Sequence, residues 1–133
     1  MAESFLRTER KDRKMGVTGI DHVQLAIPVG GEARARKFYG EALGLSEVPK
    51  PAHLLKRGGC WFETKTLKIH LGADPDFRPV REAHAALLLD GLDTLVATLE
   101  TEGYPVRRAE PLAGRQRVYV DDPFGNRIEL IEA

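Results

Sequence analysis

GIDHVQLAIP (residues 19–28) and EAHAALLLD (residues 82–90) are two versions of one strand, and their recurrence sets the architecture. In the first, Ile20, His22, Gln24 and Ala26 alternate with Asp21, Val23, Leu25 and Ile27, the two-residue period of a strand with one polar face. In the second, His84, Ala86 and Leu88 share a face. A helical stripe follows each strand. Ala35, Phe38, Tyr39, Ala42 and Leu43 follow the first and are closed by Gly44; Leu92, Leu95, Val96 and Leu99 follow the second and end at Gly103. The first four residues of one stripe map onto the other at a constant offset of 57, whereas His22 and His84 are 62 apart. Five extra residues therefore separate strand from helix in the first copy.

The remaining segments complete the repeat. Strands are predicted near 46–52, 59–66 and 67–72, before the turn-rich ADPDFRPVR at 73–81, and then near 105–110, 115–121 and 126–132. DDPFGN forms the last hairpin turn, where Pro123 fixes φ and Gly125 tolerates a positive one. The fold class is α+β, two βαβββ modules with a curved mixed sheet and the helices outside. Module one is expected at 18–74, a linker at 75–81 and module two at 82–133, together one domain over 16–133. The charged stretch 1–15 reads as a flexible leader, with Met15 an alternative start.

Composition narrows the function. Twenty basic and twenty acidic residues among 133 give no net field to hold nucleic acid or anionic lipid. Apolar runs such as Ala85 to Leu89 are far shorter than the ~18 residues of a membrane-spanning helix. Cys60 is the sole cysteine, so there is no intrachain disulfide, and no export signal opens the chain. A cytoplasmic protein with a small-molecule partner, and neither nucleic acid nor membrane as partner, is expected.

The repeat singles out four side chains. His22 and His84 occupy matching places at the opening strands, while His70 in LKIHLG and Glu129 in NRIELIE lie on the closing strands, each flanked by apolar residues of the opposite face. A lone strand histidine is more often a core or surface residue than a ligand; the matched placement of four such residues argues for a shared site. Three imidazoles and one carboxylate suit a divalent ion such as Zn, Fe, Ni, Co or Mn better than Mg or Ca. All four residues can bind it, or His22, His84 and Glu129 can form a two-histidine, one-carboxylate triad with His70 as an acid-base group.

The chain resembles the vicinal oxygen chelate superfamily, which includes glyoxalase I, extradiol dioxygenases, fosfomycin-resistance proteins, methylmalonyl-CoA epimerase and bleomycin-resistance proteins. The matching pieces are IDHVQLAIP, the helix pattern Ala35-x-x-Phe38-Tyr39-x-x-x-Leu43-Gly44-Leu45, and Asp122-Pro123-Phe124-Gly125-Asn126-Arg127-Ile128-Glu129-Leu130. The resemblance implies a sheet that encloses a cleft, a divalent metal held there by His22, His84 and Glu129 with His70 in the fourth position, and a homodimer. It also implies a substrate chelated through two neighbouring oxygens. His70 departs from the acid normally found at its position in glyoxalase I, which argues against a strict lactoylglutathione lyase.

The expected function is a divalent-metal-dependent isomerase, lyase, epimerase or ring-cleavage dioxygenase. The alternative is a bleomycin-resistance-type protein that sequesters a ligand without catalysis. His70, Glu129 and Tyr119 are the catalytic candidates, with Tyr119 a proton or hydrogen-bond donor to substrate. Gln24, Trp61 and Arg117 are the substrate-binding candidates, Arg117 through a bidentate grip on a carboxylate. Glu63 shares a face with Trp61. Phe77 and Arg78 lie in the intermodule loop, Cys60 reads as packing, and Asp122 serves the turn.

Overall fold

The computed structural model describes residues 16–133, so the expected leader at 1–15 lies outside the described residues. In chain order the elements are β1 (Val23–Ile27), α1 (Glu32–Ala35, continued by π-helical turns over Arg36–Ala42), β2 (Glu47–Val48), a 3-10 segment (Ala52–Arg57), β3 (Cys60–Glu63) and β4 (Lys68–Ala73). There follow β5 (Ala85–Leu89), α2 (Leu92–Thr101), β6 (Val106–Leu112), β7 (Arg115–Asp121) and β8 (Arg127–Glu132). The βαβββ plan is thus present twice. It builds two four-stranded sheets, ordered β1-β4-β3-β2 and β5-β8-β7-β6.

The repeat extends to the register. In each sheet the first strand runs parallel to the last, and Gln24 stands opposite His70 as Ala86 stands opposite Glu129. The antiparallel neighbour of His70 is Trp61, and that of Glu129 is Tyr119. Apolar burial fixes this register, because a one-residue slip would turn every core side chain to the polar face. Leu25, Ile27, Phe62, Ile69 and Leu71 are buried with Phe38 and Tyr39 of α1; Val118, Val120, Ile128 and Leu130 are buried with Leu92, Val96 and Leu99 of α2. Each large side chain removed from water in this way contributes roughly 1.5–3 kcal/mol.

The five extra residues of module one divide between loop and helix. Residues 28–31 link β1 to α1 whereas only 90–91 link β5 to α2, and Glu32, Ala33 and Arg34 add a turn ahead of Ala35. The strand expected at 46–52 is shorter. It stops at Val48, because Pro49 and Pro51 supply no N–H to a ladder, and Pro51 leads into the 3-10 segment. Strand β1 likewise begins at Val23 and β5 at Ala85, so His22 and His84 each stand one residue ahead of a strand.

A buried polar cluster joins the modules. The Asp122 carboxylate accepts from the backbone N–H groups of Phe124 and Asn126, from the Asn126 amide at 2.9 Å and from the Tyr39 hydroxyl at 2.7 Å. Burial, reinforced by this carboxylate, pushes the Tyr39 hydroxyl well above its usual pKa. Asn126 also donates to the Ala26 carbonyl of β1 and accepts from the Val80 N–H of the linker. Asp122 therefore does more than serve its turn: through Tyr39 it holds the helix of the other module. Asn126→Ala strands the Val80 N–H and the Ala26 carbonyl, and is expected to cost roughly 3 kcal/mol in urea unfolding. Tyr39→Phe, which leaves Asp122 three donors, should cost about half as much; equal and small losses would show that the cluster does not tie the modules.

Candidate metal centre

On module two, His84 lies diagonal to Glu129 on the face of the sheet away from the helix. His84 Nε2 is 2.8 Å from Glu129 Oε1, and His84 Nδ1 donates to the Glu82 carbonyl at 2.9 Å. A carbonyl only accepts, so Nδ1 carries a proton and Nε2 is the nitrogen turned to the carboxylate. The hydrogen bond to Glu129 raises the His84 pKa above the ordinary value, against the opposing effect of burial. Glu129 Oε2 accepts from Arg117 Nη1 at 3.1 Å, and the same nitrogen donates to the Tyr119 hydroxyl oxygen at 2.7 Å. Arg117 Nε donates to the Glu110 carbonyl. A bidentate grip on a substrate carboxylate would require Arg117 to give up one of these bonds. Because the Tyr119 oxygen already accepts from Arg117, its own proton is directed elsewhere.

On module one, His70 is the centre. Its ring stacks on Trp61 at 3.7 Å between centroids and 1° between planes, and on His22 at 4.3 Å and 23°. Strand β4 runs between β1 and β3, so the two neighbours cover opposite faces of the imidazole. Glu63 Oε2 accepts from His70 Nε2 at 2.9 Å, and Asp21 Oδ2 accepts from His22 Nδ1 at 2.9 Å. With Nε2 of His70 and Nδ1 of His22 donating to these carboxylates, Nδ1 of His70 and Nε2 of His22 are the lone-pair nitrogens of the neutral rings.

This chemistry fits a divalent ion. His84 Nε2 and Glu129 Oε1, 2.8 Å apart, are a nitrogen and an oxygen that could both face one ion, and such an ion would supply Lewis acidity there. His22, His70 and His84 each have a ring nitrogen held by an oxygen acceptor, the usual outer support of a metal-binding histidine. Among the described residues the four do not form one metal-holding group. Among the described residues no three His, Cys, Asp or Glu side chains form a metal-holding group, so the chain presents two pairs, His22 with His70 and His84 with Glu129, on two sheets.

Gln24 is exposed on the same face as His70, beside a cavity of about 280 Å³ that it lines with Trp61, Lys50, Leu54 and Arg57. Lys50, Leu54 and Arg57 were not among the sequence candidates; the signal was Pro51 ahead of the segment and Gly58-Gly59 behind it, the marks of a short helical turn. Arg127, also not foreseen, stands over the Tyr119 ring at 5.4 Å. Its Nε is buried with no hydrogen-bond partner among the described residues. Phe77 packs edge-on to Phe124, and Arg78 is exposed. Cys60 is buried, and burial pushes its thiol up to about 11, which agrees with packing.

Residues 19–130 match the Glyoxalase/Bleomycin resistance protein/Dioxygenase superfamily. The chain belongs to this family. A protein of Bacillus anthracis assigned to the glyoxalase family is 46% identical, with a TM-score of 0.84 over 88% of this chain and 96% of the other. Lactoylglutathione lyase of Agrobacterium tumefaciens is 22% identical, with a TM-score of 0.64 over 88% and 95%. A mutant of the fosfomycin resistance protein FosX of Listeria monocytogenes, complexed with Mn(II) and 1S,2S-dihydroxypropylphosphonic acid, is 15% identical, with a TM-score of 0.73 over 89% and 94%. The last two likenesses show the fold. No curated protein matches the chain. Among the described residues no helix is long and apolar enough to cross a membrane.

The His84–Glu129 pair has a signature in metal-free protein. Glu129→Gln removes the charge that retains the imidazole proton, so His84 should titrate at lower pH than in the wild type when followed by NMR of the ring nitrogens. A raised folded-state pKa also means that the pair stabilises fully below about pH 6.5 and that this contribution fades as pH rises through the raised value. An unmoved His84 titration would show that the two groups are not coupled.

Proposed function

We propose that the protein is a divalent-metal-dependent enzyme of the superfamily, acting on a small substrate through two neighbouring oxygens. The observation that carries this reading is the 2.8 Å approach of His84 Nε2 to Glu129 Oε1, with His84 Nδ1 and Glu129 Oε2 already held by protein groups. In this reading His84 and Glu129 hold a Zn, Fe, Ni, Co or Mn ion together with His22 and with His70 through Nδ1. Such an ion supplies Lewis acidity, which offsets charge developing on a substrate oxygen.

The chain's own residues do the rest. Arg117 fixes the Glu129 carboxylate and turns the Tyr119 proton outward, so that Tyr119 donates to a substrate oxygen. Glu63 holds the His70 ring against Trp61, and this pair relays a proton when His70 is not engaged as a ligand. Since the two pairs stand on separate sheets, we propose a homodimer in which His22 and His70 of one copy face His84 and Glu129 of the other. The ligand of the FosX complex, a dihydroxypropylphosphonic acid, is of the kind expected: small, with neighbouring oxygens.

Elemental mass spectrometry on protein purified without chelator or nickel resin tests the centre. About one divalent ion per chain is expected, and His84→Ala should lose most of it while staying folded, because His84 faces away from the helix-packed core. Mixing a His22→Ala/His70→Ala chain with a His84→Ala/Glu129→Gln chain should restore one occupied site per mixed dimer. Metal retained by His84→Ala would overturn the ligand assignment. No metal after reconstitution with each ion would favour a ligand-sequestering protein, and no restoration on mixing would place the four ligands in one chain.

A further inference from the structure

The cavity beside His70 has a composition that the metal reading does not use. Its floor is β4 at Leu71, Gly72 and Ala73, its walls are Gln24 and Trp61, and its rim carries Lys50 and Arg57. Gln24 and Trp61 are the register partners of His70 on either side, so two of the cavity's lining residues flank the strand position of the imidazole. Gly72 makes the room: a Cβ there would stand 2.8 Å from the Gln24 amide nitrogen. The amide lies in the space that any other residue would fill.

The basic rim is held in place. Gly58 and Gly59 have φ of +73° and +83°, and a Cβ at Gly59 would drive into the Leu71 carbonyl oxygen. Glu32 accepts from the Gly59 N–H at 2.7 Å, and Lys50 donates to the Gly58 carbonyl. The 3-10 segment that ends at Arg57 is thereby pressed onto β4. Lys50 keeps two further N–H donors and lies near the Glu32 carboxylate, while Arg57 is exposed at the end of the segment. Among the described residues no Asp or Glu lines the cavity. Two cationic donors and a neutral amide around an apolar floor, in a chain of zero net charge, form a local site for an anion.

We infer that the cavity is the subsite for the anionic end of the substrate: a carboxylate or phosphate-type group sits between Lys50 and Arg57, and the adjoining carbons pass over Trp61 toward His70. The inference rests on the preceding reading in that it makes His70 part of the reacting centre. The substrate is then a small organic anion. A volume of about 280 Å³ accommodates an end group of this kind.

Trp61 is the only tryptophan, so its fluorescence reports from the cavity wall. Chelator-treated protein is titrated at constant ionic strength with succinate, with inorganic phosphate and with neutral erythritol, by fluorescence and by calorimetry. Saturable binding is expected for at least one anion and not for erythritol, and the tighter of the two anions tells a carboxylate from a phosphate-type end. Lys50→Gln and Arg57→Gln should each raise the anion Kd at least fivefold without changing metal content; Arg57 is exposed, so its variant keeps the fold. Absence of saturable binding by both methods, or an unchanged Kd in both variants, would overturn the subsite. Since the titration uses metal-free protein, a failure of the metal centre leaves its outcome untouched.

Discussion

A carboxylate taken out of water has to find donors, and Asp122 finds four. Two come from its own turn, one from the Asn126 side chain and one from Tyr39 on the helix of the other module. Burying a charge without such partners costs several kcal/mol, so this arrangement admits little variation in how the two halves of the chain meet. Asn126 extends the constraint to β1 and to the linker. Glu129 follows Asn126 by three residues, and His22 precedes Ala26 by four. The cluster is thus tied by short, regular segments of strand to both the His22–His70 pair and the His84–Glu129 pair.

The two pairs are alike in register and unlike in chemistry. His70 and Glu129 occupy equivalent positions, as do Trp61 and Tyr119, yet one half is an aromatic stack and the other a charged network. The stack holds its imidazole by surface contact on both faces and one carboxylate at the edge. The network holds its carboxylate by a guanidinium and its imidazole by a backbone carbonyl. Both devices restrict the same quantity, the freedom of a ring or carboxylate to turn, and so lower the entropy lost when a ligand is bound.

Much of this was legible in the residues. The two-residue alternation in GIDHVQLAIP and the stripe at Ala35, Phe38, Tyr39 and Ala42 follow from burial, which periodicity reports directly, and the structure buries those positions. That His22 meets His70 and His84 meets Glu129 follows from the first and last strands lying side by side in each module, an adjacency that periodicity does not report. That the pairs stand on separate sheets was not legible, because periodicity tells a residue's face and not the relation between two sheets. The dual role of Asp122 was hidden for a similar reason: its local turn bonds account for the motif, and the bond to Tyr39 spans 83 residues. The 3-10 segment Ala52–Arg57 lies almost wholly between the strands expected at 46–52 and 59–66, a stretch whose residues carry no two-residue alternation to report it.

The glycine pair at 58 and 59 carries an evolutionary consequence. Both positions are closed to side chains, one by the carbonyl beneath it and both by a backbone turned to positive φ, whereas Leu54 and Arg57 are carried by the same segment and meet no such obstruction. Natural variation is therefore channelled. A lineage can exchange the side chains that face the cavity while its anchor stays fixed, so a duplicated copy of this chain can acquire a new molecular preference without first losing its shape.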